Sequence, residues 1–141
     1  MARFAQGTFK PKNPKKYVGN TYPIYRSSWE LKMFIYLDEQ PLVESWASEP
    51  IAIPYRSPLD GKIHKYHPDL LISYADMNGN KHIELIEIKP ANQSIMEMAK
   101  SKQDKMTVAL NHAKWEAARA FCKKNRITWR LVTERDLFFR K

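Results

Sequence analysis

Two carboxylates and an ammonium stand in this chain at a spacing that suits phosphodiester chemistry. Asp69, in His67-Pro68-Asp69, precedes Glu87 of Glu87-Ile88-Lys89 by eighteen positions. Side chains alternate in direction along a strand, so Glu87 and Lys89 project to one face. Asp69, on the neighbouring strand of the same meander, can stand opposite them. Two such acids can hold a divalent cation on a scissile phosphate while the lysine orients or deprotonates the attacking water. Hard oxygen ligands favour magnesium or manganese over zinc.

A surface pair on an edge strand is the plainer account of a Glu-x-Lys triplet. The run around it argues otherwise: Ile83, Leu85, Ile86 and Ile88 make this an apolar, central strand. Unpaired charge is costly there unless it is bound to something. Asp69, Glu87 and Lys89 are therefore the candidate catalytic residues, the two acids as metal ligands. Glu30 admits two readings. In Ser27-Ser28-Trp29-Glu30 it completes a capping box, which is sufficient by itself. Yet the helix it opens, Trp29 to Leu37, is apolar nearly all round, which predicts burial on most sides. An acid there needs a partner, and we read Glu30 as a third metal ligand. His64 and His67 lie three apart, on opposite faces of an extended strand, and do not make a zinc site. His67 shares a face with Asp69 and is a lesser candidate for contact with DNA. His112 and Trp115 read as packing, and Cys122 as a small buried residue. Lys105, Asn111 and Lys114 approach the site only as phosphate contacts.

The elements that must position these residues follow from periodicity and turn chemistry. Residues 1–26 are rich in Lys, Pro, Gly and Asn and read as an irregular basic arm, its second half pinned by Tyr17, Tyr22, Ile24 and Tyr25. Residues 27–141 form a single domain. A helix runs from Ser27 or Ser28 to about Gln40, stopped by Pro41. Strands are predicted near Pro50–Tyr55, from Ile63 to about Tyr74, and over Lys81–Lys89. Asp60-Gly61 and Asn78-Gly79 turns join them into an antiparallel meander. Ala91 to Gln103 is either loop or one helical turn. A second helix, Asp104 to Lys124, carries an apolar stripe at Met106, Leu110, Ala113, Ala117 and Phe121. A strand over Ile127–Val132 and a capped helical turn over Thr133–Leu137 end the chain. The class is α/β: an α-β-β-β-α-β order, with a mixed sheet flanked by helices.

With 141 residues and 43% hydrophobic content, one domain with a proper core is expected. The single cysteine excludes an internal disulfide framework and a four-cysteine zinc module. No signal-like stretch opens the chain, and no run approaches the roughly 20 apolar residues of a membrane span. A soluble intracellular protein is expected. The net charge is +9, and six basic residues but no acid precede Glu30. Nucleic acid is the first partner this suggests. Charge alone does not separate a nuclease from a passive DNA binder.

Taken together, the Ser-x-x-Glu helix, the Pro-Asp and the Glu-x-Lys resemble the PD-(D/E)xK, restriction-endonuclease-like superfamily. Within it the arrangement is similar to the endonuclease subunit of heteromeric transposases, and more so to the head completion nucleases of tailed phages. The latter resemblance covers nearly the whole chain. It includes Tyr25-Arg26-Ser27-Ser28-Trp29-Glu30, Ile53-Pro54-Tyr55, the stretch from Tyr66 to Asp69, Ile86-Glu87-Ile88-Lys89-Pro90, Lys114-Trp115 and Arg130-Leu131-Val132-Thr133-Glu134. The resemblance implies a restriction-endonuclease-like core and a magnesium- or manganese-dependent deoxyribonuclease, endo- or exonucleolytic. Such an enzyme trims packaged DNA late in capsid assembly, in the host cytoplasm or with the virion. DNA is then the substrate and portal or neck proteins the partners, with no membrane and no small-molecule cofactor. It also implies Glu30, Asp69 and Glu87 as the acidic site residues and Lys89 as the catalytic lysine. The segment after Pro90 is short for such a family, which implies a reduced DNA-contacting loop. The alternative is a structural protein of head–tail joining that binds DNA or a portal and does not cut. An intact Asp69, Glu87 and Lys89 favours the nuclease, because a passive plug has no physical need of them. A transposase subunit would call for a partner and a further domain, for which the chain has no room.

Overall fold

Helix α1 (Ser28–Glu39) begins on a side-chain cap, the extended Ser27, whose Oγ accepts the Glu30 N–H at 3.2 Å. The computed structural model describes residues 6–91 and 99–139. Burial of α1 on most sides is not what it shows. Phe34 and Leu37 are covered, but Ile35 and Tyr36 are 41% and 55% exposed. The helix packs on one layer only, so its apolar residues outnumber the positions that layer can cover.

Strands β3 (Val43–Ser48), β6 (Leu70–Ala75), β7 (Lys81–Ile88) and β8 (Thr128–Val132) form one sheet in the order β3-β6-β7-β8. β3, β6 and β7 are antiparallel neighbours; β8 runs parallel to β7. A parallel return needs a long crossover, and helix α2 (Lys102–Asn125) supplies it. A short helix, α3 (Glu134–Phe139), follows β8. The hairpin between β6 and β7 turns on Asp76, whose Oδ1 accepts the N–H groups of Asn78 and Asn80, with Gly79 at φ 83°.

Two expectations about the strands are corrected. The sheet's first strand is β3, which was not foreseen, rather than the stretch Pro50–Tyr55. The run Ile63–Tyr74 is two strands. β4 (Ile53–Arg56) and β5 (Ile63–Tyr66) pair only with each other in a separate ribbon, and the chain returns to the main sheet at Leu70. Pro68 stands at the break. Its missing N–H cannot feed a ladder, and the chain changes sheets across His67-Pro68-Asp69. The order α-β-β-β-α-β still describes α1, the main sheet and α2.

The sheet has a core on each face. Phe34 and Leu37 of α1 meet Trp46, Leu70, Ile72, Ile86 and Ile88 on one side. Trp115, Ala118 and Cys122 of α2 meet Leu85 and the ribbon residues Ile53, Tyr55 and Tyr66 on the other. Each fully buried apolar side chain is worth roughly 1.5–3 kcal/mol. Leu85 and Ile86, both 0% exposed, therefore lock β7 between the layers.

The N-terminal segment, expected to be irregular, is ordered against the domain from Gly7. β1 (Gly7–Thr8) pairs with β2 (Ile24–Tyr25), and Phe9 packs 5.8 Å from Phe34 and 6.1 Å from Trp46. The backbone N–H groups of Lys12 and Asn13 donate to the buried Asp38 carboxylate at 2.9 and 3.0 Å. Lys16 donates to the carbonyls of Asp38 and Gln40 at 3.1 and 2.7 Å, placing a cation on the negative end of α1. Tyr17 and Tyr25 reach the core, whereas Tyr22 and Ile24 are 45% and 51% exposed. Most of the ambiguous stretch after Pro90, residues 92–98, lies outside the described residues, and with it the expectation of a reduced loop.

Candidate active site

Asp69 and Glu87 meet because of strand register. β6 and β7 pair through Leu70↔Ile86, so Asp69, one residue before β6, stands beside Glu87, one residue on. Asp69 Oδ2 accepts the Ile88 N–H at 2.7 Å, and its carbonyl accepts the Glu49 N–H at 2.9 Å. Alternation puts Leu85, Glu87 and Lys89 on the α2 face of β7. Glu87 is 4% exposed. Its Oε1 accepts the Tyr66 hydroxyl at 2.5 Å, and its Oε2 lies 3.6 Å from Lys89 Nζ. The Lys89 N–H donates to the Val132 carbonyl at 2.9 Å, so β8 fixes the lysine's backbone beyond the end of β7.

Glu30 is engaged at the start of α1. Its Oε1 accepts the Arg26 N–H at 2.6 Å, a capping bond reaching one residue beyond Ser27. Among the described residues no three His, Cys, Asp or Glu side chains stand close enough together to hold an ion. Glu30 is nevertheless near enough for its charge to act on Asp69 and to feel Lys89.

The acids carry their charge at a cost. Burial first, and then the charge of Glu87, push the Asp69 carboxyl well above the usual carboxylate range, against the Ile88 N–H that favours its ionised form. Burial also raises Glu87, opposed by Lys89, by the Tyr66 hydroxyl and by Lys114. Glu30 is raised by burial against the Arg26 N–H.

Residues that the reading of the chain missed line the same region. Glu49 sits just past β3 at φ 47°, a left-handed conformation unusual for a non-glycine residue. Its N–H bond to Asp69 and an ion pair with Arg26 hold it there. Nothing in its residue type announces this. Tyr66 had a weak signal, as the one aromatic residue of β5. Of the proposed phosphate contacts, Lys114 comes close: its Nζ lies 5.9 and 6.0 Å from the ring centres of Tyr55 and Tyr66. Lys105 is exposed near the start of α2, and Asn111 is buried. His64 pairs with Asp60 at 2.8 Å rather than with His67, which is exposed. Cys122 is buried, as expected.

Comparison with known proteins bears on what this arrangement is for. Residues 40–134 match the family described as TnsA-like endonuclease N terminal. The chain belongs to that endonuclease family. It is also 32% identical over 140 residues to the head completion nuclease of Enterobacteria phage T4, covering 93% of this chain and 92% of the relative. The stretch that matches the TnsA-like family holds Asp69, Glu87 and Lys89 together with Tyr66 and Lys114. Glu30 and Arg26 precede it. Among the described residues no helix is long and apolar enough to cross a membrane.

Proposed function

We propose that this chain is a magnesium- or manganese-dependent deoxyribonuclease with a restriction-endonuclease-like core. Its task is to trim packaged DNA as a phage head is completed and joined to its tail, in the host cytoplasm or on the virion, next to a portal or neck protein. The reading rests on one observation above all: two neighbouring carboxylates, Glu87 buried and Asp69 half-buried, meet a lysine at the end of a central strand, in a chain homologous to a head completion nuclease.

The donor set fits a hard dication. Asp69 and Glu87 repel each other, and burial raises both, which is the environment a divalent cation relieves. These two residues would hold it, and Glu30 is the third candidate. When bound, the ion supplies positive charge for the phosphate as the bond to the leaving oxygen breaks. The protein's own residues do the remainder. Tyr66 donates to Glu87 Oε1 and fixes the carboxylate, leaving Oε2 towards Lys89. The Lys89 ammonium orients the attacking water and stabilises the hydroxide it becomes as its proton passes to the surrounding water. The basic surface collects DNA by displacing its condensed counterions.

Plasmid DNA incubated with purified protein and magnesium, manganese or chelator tests this. Cutting is expected with either metal and not with chelator, and not with Asp69→Asn under any condition. Intact plasmid throughout, or equal cutting by the variant, overturns the reading.

A further inference from the structure

Lys114 has surroundings that the reading above does not use. The β4–β5 ribbon and α2 close on each other there, with the half-buried ammonium against the faces of Tyr55 and Tyr66. Tyr66 is the residue whose hydroxyl holds Glu87, so Lys114 sits one ring away from the paired carboxylates. Both Glu87 oxygens are already engaged, Oε1 by Tyr66 and Oε2 by Lys89. Lys114 forms no ion pair with any carboxylate among the described residues. Burial and the like charge of Lys89 work against its charged form, while the charge of Glu87 favours it. Aromatic faces attract a cation but do not neutralise it. Two lysines therefore converge beside one carboxylate pair, and of the two only Lys89 is within ion-pair distance of it. A half-buried ammonium outside ion-pair distance of any described carboxylate gains from an anion that enters beside it.

We propose that Lys114 binds a non-bridging oxygen of a DNA phosphate at the site, and that Tyr55 and Tyr66 hold its ammonium off Glu87 so that its charge stays available to the substrate. The proposal rests on the reading of the chain as a DNA nuclease and adds to it a contact made from outside the main sheet. Lys105, on the same helix, has no comparable setting.

The test is binding of a duplex of fixed length at several salt concentrations, with chelator present, by wild type, Lys114→Met and Lys114→Arg. Met keeps the apolar stem on the two rings and removes the charge. Its log–log salt slope should be shallower than wild type's by about 0.9, one phosphate contact, and Arg should restore it. Thermal transitions are recorded in parallel, and Lys114→Gln substitutes if the Met variant does not fold. An unchanged slope, whether or not the thermal transition falls, makes Lys114 a packing residue and overturns the assignment while wild-type cutting stands. A wild type that neither binds nor cuts DNA removes the nuclease reading, and this proposal with it.

Discussion

Asp69 and Glu87 stand where two like charges are hardest to keep, and that fixes what each substitution should do. Asp69→Asn and Glu87→Gln keep shape and remove charge. Losing one ligand's charge stabilisation, about 3 kcal/mol, should cut cleavage at least roughly a hundredfold. Stability should move the other way. In the folded chain both acids keep their protons to higher pH than in the unfolded chain. Their contribution to stability is therefore complete below about pH 4 and is lost as pH rises through the raised values. Without metal, Asp69→Asn should melt above wild type at neutral pH, and the gap should narrow on acidification and close only below about pH 4. Calorimetric melts across that range check the sign; a gap that widens on acidification contradicts the electrostatics described here. Lys89→Ala should lose cleavage yet still bind manganese in a titration, since an ammonium is not a ligand.

At the scale of elements, α1 is held at both ends, and its cap and its tail make separable predictions. Glu30→Gln can still accept the Arg26 N–H, so a purely structural Glu30 predicts wild-type melting and wild-type cutting. A metal role predicts ordinary melting with cleavage and manganese affinity both reduced. The other end hangs on Asp38, 1% exposed, which accepts two backbone N–H groups. Asp38→Ala strands both donors and should cost roughly 2–3 kcal/mol of stability, read from the denaturant midpoint. Asp38 went unnoticed in the sequence because its partners lie about 25 positions upstream, and no local pattern joins Asn13 to it. What was legible was local: the Ser27 cap, the Asp76–Asn80 turn, the apolar β7 and the helical period of α2. The stripe read on α2 is only its flank, because Val108, Asn111, Trp115, Ala118 and Cys122 form the buried line and Met106 is exposed. Asp69 and Glu87 were legible as neighbours because a hairpin converts sequence spacing into register. The division of Ile63–Tyr74 was missed although Pro68 marks it, since its apolar and aromatic residues read as one strand. β3 was missed because Glu44 and Ser45 dilute its pattern and its partner β6 lies far along the chain.

For the whole molecule, the N-terminal segment changes an obvious experiment. Deleting residues 1–16 looks from composition like the removal of five basic groups (Arg3, Lys10, Lys12, Lys15 and Lys16) from a dispensable arm. Phe9 packs in the core and Lys16 caps α1, so the truncated chain should melt well below wild type and cut poorly for that reason. Replacing Lys10 and Lys15 by Gln leaves those contacts in place and is the cleaner probe of phosphate binding. A truncated protein that melts like wild type would contradict the packing described for Phe9 and Lys16. The parallel pairing of β7 with β8 bears on a different matter, the timing of synthesis. Glu30, Asp69, Glu87 and Lys89 all leave the ribosome before Thr128–Val132, the strand whose Val132 carbonyl ties down the lysine. A nascent chain, or a proteolytic fragment ending within α2, thus carries every candidate catalytic side chain while β7 is still an open edge and Lys89 is untethered. Only once Thr128–Val132 has been made and paired can the Lys89 backbone be held as the folded chain holds it.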